Sequence, residues 1–146
     1  MTLIELLVVV GIVGILAAAG VPVYRGYIEK ARNNQAIVDI TEMESVIVRF
    51  MVENQVPPNN LNQVGLGNRL DPWGRPYEYL RIQGVDKNEI KEKWRKDHFN
   101  VPVNTDFDLY SMGKDGKSES PFTAHHSRDD IVRANNGRFI GLAKDY

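Results

Sequence analysis

Residues 1–54 constrain this chain more than any other stretch. Met1 to Gly20 is apolar on every side and carries a single charge, Glu5. From about Tyr24 the character changes. Ile37, Ile40, Met43 or Glu44, Ile47, and Phe50 or Met51 recur at spacings of three and four, while Arg25, Glu29, Lys30, Arg32, Asp39, Glu42, Glu44 and Arg49 fill other positions. One helix through both halves would be about 80 Å long. The residues left over cannot cover a rod of that length, so its apolar half must be buried by something outside the chain. Its amphipathic half predicts a stripe packed on a sheet. Asn54 ends the helix, because Pro57 and Pro58 cannot continue it.

The rest of the composition excludes more than it suggests. The 146 residues fit one domain. Without the apolar segment, roughly 120 residues remain, enough for one modest core. A net charge of −1 gives no footprint for nucleic acid. The absence of cysteine removes disulfides and thiolate chemistry. There are three histidines, two of them adjacent at His125–His126, and no nucleophile–base pattern surrounds them. Adjacent residues rarely point the same way, so zinc is not expected there, and no enzyme is expected. The aromatic residues Tyr24, Tyr27 and Phe50 read as packing rather than as a conducting path.

Met1–Val23 is long and apolar enough to span a bilayer. No Lys or Arg precedes Arg25. That fits a segment whose basic leader has been removed, with Met1 as the mature first residue. It also fits a single-pass anchor beginning at its own initiator. The division expected is a hydrophobic segment at 1–23 and a globular part at 24–146. Glu5 is costly at membrane depth and asks for a positive partner. The α-amino group of Met1 is the nearest, in this chain or in a neighbouring copy; the alternative is a carboxylate that snorkels to the interface. Gly14, Gly20 and Pro22 cluster with Gly11 and make the stretch from about Gly14 to Val21 the weakest part of the helix; the alternative is a gentle kink only.

Beyond the helix, Asn59 or Asn60 can cap a short turn through Gln63. GLGNRL and DPWGRP read as loop and turn. Tyr77–Ile82, Phe107–Ser111 and Arg138–Ala143 read as strands. Asp86–Asp97 reads as a surface helix anchored by Ile90 and Trp94, its charges solvated. The stretch between the last two strands reads as a long polar segment.

The first 35 residues resemble type IV pilins and type II secretion pseudopilins. Thr2, Leu3, Glu5, the Val/Ile/Leu run, Ala17, Ala18, Pro22 and the switch to an amphipathic helix carry the resemblance. It implies an α+β, pilin-like fold: the long helix packed on a small antiparallel sheet. It implies a prepilin peptidase that cuts before Met1 and N-methylates it, where the family usually has Phe. It also implies a homo-oligomeric helical filament, in which Glu5 acts in assembly and the stretch with Gly14, Gly20 and Pro22 often loses its helix. An inner-membrane platform and a cytoplasmic ATPase would supply the assembly site and the energy.

The second half, with DPWGRPYEYL, DFDLYSMGKDG and DDI, is similar to the major pseudopilin of type II secretion. Major pilins with a C-terminal disulfide differ, since this chain has no cysteine. The resemblance implies a calcium ion between the last two strands. Its ligands by position would be the backbone carbonyl of Met112 and the side chains of Asp115, Asp129 and Asp130, with the Lys117 carbonyl a weaker candidate. Carboxylates on a glycine-punctuated loop suit such an ion. The chain departs from the family here: Lys117–Arg128 is longer, and Asp86–Asp97 and Val101–Asn104 look inserted. The function expected is a structural filament subunit of a type II secretion pseudopilus that helps export folded proteins. The alternatives are a surface type IV pilus for adhesion, motility or DNA uptake, and a membrane-anchored binding domain or enzyme. The chain would sit in the bacterial inner membrane before assembly, and in a periplasmic pseudopilus or extracellular pilus afterwards.

Overall fold

A computed structural model describes residues 2–146. The order is helix α1 (Leu3–Asn54), strand β1 (Glu78–Arg81), a one-turn helix α2 (Lys87–Ile90), then strands β2 (Phe107–Ser111), β3 (Ile131–Ala134) and β4 (Phe139–Leu142). The chain divides into two compact units, Met1–Arg32 and Asn33–Tyr146.

In the second unit, α1 presents Ala36, Ile40, Met43 and Ile47 at spacings of four, three and four, all fully buried. They meet Leu61, Tyr77, Phe107, Leu109 and Ile131 in the main core. Each large aliphatic side chain so buried contributes about 1.5–3 kcal/mol. The predicted stripe is present, with Ile37 and Met51 at its edges. Helix α1 ends at Asn54, and Asn60 caps a short 3₁₀ turn, Leu61–Val64, by accepting from the Gln63 amide.

The four strands form an antiparallel sheet in the order β1-β2-β3-β4. Strand β2 is buried on both faces, which its alternation explains. Phe107 and Leu109 join the core against α1. On the other face, Asp108 accepts from the Arg95 amide and Tyr110 lies under the Arg95 guanidinium. That second face is covered by the long connections: Val103 and Phe122 pack with Val132, Ala134 and Ala143.

Strand β3 was hidden from sequence reading. Ile131–Ala134 lies in the stretch read as a long polar segment, and all four residues are buried. It is too short to show a period, and its third residue is an arginine. Arg133 lies on the helix side, donating from Nε to Glu44 at 2.6 Å and from both terminal nitrogens to Asp106 at 2.8 and 2.7 Å. Its guanidinium also lies 3.9 Å from the centre of the Phe107 ring. Gly137, at φ 86°, lets the β3–β4 turn close over this pair: a Cβ there would fall 1.9 Å from Glu44 Oε1.

The expected Asp86–Asp97 helix is shorter, spanning Lys87–Ile90 with Asp86 as its N-cap. Ile90 and Trp94 are buried as expected. Not all of its charges are solvated, because Arg95 is 2 % exposed.

Candidate functional site

Over its described residues, the first unit is one stretch of helix α1. Its large apolar side chains from Leu3 to Val23 are exposed, and it is long and apolar enough to cross a membrane. Met1 lies outside the described residues, so its expected roles as processed and methylated terminus are not addressed by the structure. Glu5 has a local partner that the sequence reading missed. The Thr2 amide donates to Glu5 Oε2 at 2.6 Å, the Thr2 hydroxyl donates to the same oxygen at 3.0 Å, and the Glu5 amide donates to the Thr2 hydroxyl at 3.3 Å. This is a capping box, two exposed helix-terminal donors satisfied reciprocally. Its signal was visible as Thr2-x-x-Glu5. Gly14, Gly20 and Pro22 lie inside continuous α-helix, and the added Cβ at either glycine would meet nothing among the described residues within 4 Å. That leaves room for close approach of another helix.

In the second unit, α1 is tied down by charge as well as by apolar packing. Asp39, buried at 6 % exposure, accepts from Tyr77 Oη at 2.7 Å, Gln35 Nε2 at 2.9 Å and Arg69 at 3.0 Å. Burial opposes its ionisation, but these hydrogen bonds and the Arg69 charge outweigh it and hold the carboxyl below its ordinary value. Burial and the Asp39 hydrogen bond push the Tyr77 phenol well above its usual range.

The loop from Met112 to Asp130 is where the resemblance places an ion. Met112 directly follows β2, and Gly113 (φ 63°) must be glycine, because a Cβ would fall 2.1 Å from the Asp129 carbonyl oxygen. That close approach brings Asp115 and Asp129 together. The Asp115 amide donates to Asp129 Oδ2 at 2.9 Å, and Asp115 Oδ1 accepts from the Lys117 amide at 2.8 Å. Asp115 Oδ2 lies 3.3 Å from His126 Nδ1. The neighbouring His125 ring sits edge-on to His126.

Asp130 turns away from this pair. It is fully buried, and its Oδ2 accepts from Arg95 at 2.7 Å and from the Ser118 hydroxyl. Burial raises its pKa, against the Ser118 hydrogen bond and the Arg95 charge. Its Oδ1 is buried with no hydrogen-bond partner among the described residues. Asp115 and Asp129 therefore fit a hard cation, whereas Asp130 has one oxygen to offer and a guanidinium on the other. Among the described residues, no three His, Asp or Glu side chains form a metal-holding group.

Arg75 is a further residue that motif reading passed over. Asp71 in the DPWGRP turn accepts from the Trp73 and Arg75 amides and from the Ser111 hydroxyl, fixing the turn to the end of β2. From there the Arg75 guanidinium donates to the Gly113 carbonyl. The loop is thus flanked by two arginines from distant parts of the chain.

These features, an exposed apolar helix continuing into one packed on a four-stranded antiparallel sheet, define a pilin-like protein. The chain is 35% identical over 136 residues to the type II secretion system core protein G of Vibrio cholerae, covering 80% of each chain. It is 31% identical over 137 residues to the protein of that name from Pseudomonas aeruginosa, covering 80% of this chain and 83% of the other. It is also 31% identical over 140 residues to the type IV major pilin protein PilE1 of Neisseria gonorrhoeae, covering 80% and 84%. No family model and no solved structure matches it. The chain belongs to the type II secretion core protein G and type IV pilin family, and is a structural filament subunit.

Proposed function

We propose that this chain is the major-pseudopilin-like subunit of a type II secretion pseudopilus that helps export folded proteins. The observation that carries the reading is the likeness to core protein G over 80% of both chains. The chain would wait in the inner membrane, anchored by its apolar helix, and pass into a periplasmic filament of identical subunits. Its partners would be a prepilin peptidase that exposes and methylates Met1, an assembly platform, and a cytoplasmic ATPase acting through that platform. Its own part is structural, not enzymatic.

In the filament, Glu5 would exchange its capping contact with Thr2 for the N-terminal amine of a neighbour. A buried charge pair of that kind sets register, because any other register leaves both charges unpaired in an apolar core. A calcium ion at the loop would take Asp115, Asp129 and the carbonyls of Met112 and Lys117, leaving out Asp130, which Arg95 holds.

The test is deletion of the chain from its host, with exoprotein secretion and surface-pilus functions scored together. Loss of exported enzymes from the medium, with twitching and DNA uptake intact, is the expected result. The reverse pattern would establish the surface pilus instead.

A further inference from the structure

The first of the two stretches read as insertions, Asp86–Asp97, carries a buried arginine, and the loop over residues 117–128 is built around it. Arg95 and Asp130 form an ion pair at 2.7 Å with side chains 2 % and 0 % exposed. The Ser118 hydroxyl closes a three-membered ring, accepting from Arg95 and donating to Asp130. The guanidinium lies 4.4 Å from the centre of the Tyr110 ring and 5.1 Å from that of Phe122. Its backbone is equally engaged: the Arg95 amide donates to Asp108 at 2.7 Å, and its carbonyl accepts from the Val103 amide at 3.0 Å. On either side of Arg95, the chain exchanges hydrogen bonds with the loop. The Lys96 amide donates to the Ser120 carbonyl, the Phe122 amide to the Lys96 carbonyl, and the Ser120 hydroxyl to the Trp94 carbonyl.

We propose that Arg95 is the resident cation of this loop: it neutralises Asp130 from within the chain and fastens residues 117–128 to the sheet, so that the globular unit keeps its fold without calcium. A carboxylate with no exposure must be paired, and a desolvated arginine on aromatic faces is the residue type best suited to it. A divalent ion on the remaining oxygen of Asp130 would stand beside that guanidinium in a medium of low dielectric, where like charges repel strongly. Calcium also needs six to eight oxygens. With Asp130 committed to Arg95, the other two carboxylates lie in an exposed turn. An ion held there contributes little to the fold.

The full-length protein in detergent micelles is melted in millimolar calcium and in chelator, followed by tryptophan fluorescence. Wild type is expected to melt at the same temperature in both. Arg95→Gln is expected to melt lower and to gain a response to calcium, because Asp130 has lost its cation; a role limited to packing would create no such response. Adding Asp130→Asn to Arg95→Gln should cost less than the two single losses summed, as contacting partners do. A wild type that loses melting temperature in chelator overturns the proposal, and that comparison needs no variant to fold. The outcome is independent of whether the filament serves secretion or a surface pilus.

Discussion

Single carboxylates on α1 decide how the helix is held to the sheet. Asp39 is ionised and triply bonded in the folded state, with its pKa held below the ordinary carboxylate value of about 4. A depressed folded pKa means the unfolded chain binds the proton more readily. The stabilisation is therefore complete above the ordinary value and is lost as pH falls through the lower folded value. Asp39→Asn is expected to cost about 1–3 kcal/mol at neutral pH. The gap from wild type should narrow below about pH 4, measured by urea unfolding across pH. Glu44 is a second such carboxylate, held by Arg133, which is 2 % exposed and has Asp106 as its other partner. Arg133→Ala leaves both carboxylates facing a buried gap and is expected to cost about 3–5 kcal/mol in the same assay. An effect under 1 kcal/mol would mean that water replaces the guanidinium.

Among the elements, α1 has two different tasks in one unbroken helix. Pro22 and the nearby glycines sit in it without a break in the isolated chain. Helix here is cheap to lose, since Pro22 removes one backbone hydrogen bond and each glycine lowers propensity by about 1 kcal/mol. Packing of many subunits is expected to draw out a non-helical or extended stretch within about Gly14 to Pro22. A filament map at side-chain detail checks this, and unbroken helix through Pro22 in every subunit would contradict it. Most of the elements were legible. The apolar run, the stripe from Ile37 to Met51, the end at Asn54 and strands β1, β2 and β4 all announce themselves locally. Strand β3 does not, because four buried residues with an arginine among them carry no period; only pairing to β2 and β4 makes them a strand.

For the whole molecule, the exposed apolar helix sets the assembly state. Burial at about 25 cal/mol per Å² makes association of these segments the dominant driving force. Glu5→Ala removes the capping box with Thr2 and the proposed partner of a neighbour's amine. It is expected to leave the unit Asn33–Tyr146 folded, as seen by circular dichroism, while sheared filament yield collapses. Normal filament yield from Glu5→Ala would remove the pairing. Thr2→Ala separates the two roles, since it loses both hydrogen bonds of the Thr2 hydroxyl and keeps the Glu5 carboxylate, and is expected to assemble.

The sequence by itself determined which part of the chain must leave water, where the long helix stops and which family the chain resembles. Those properties are carried by runs, caps and motifs, whose physics acts over a few residues. Only the tertiary structure decided the fate of Asp130. Nothing near it in sequence announces Arg95, which stands 35 positions earlier in a run that reads as solvated. The same holds for Arg133, whose partner Glu44 is 89 positions away. A buried charge is stable only with its counter-charge beside it, and the fold chooses that partner by bringing distant segments over the two faces of one sheet.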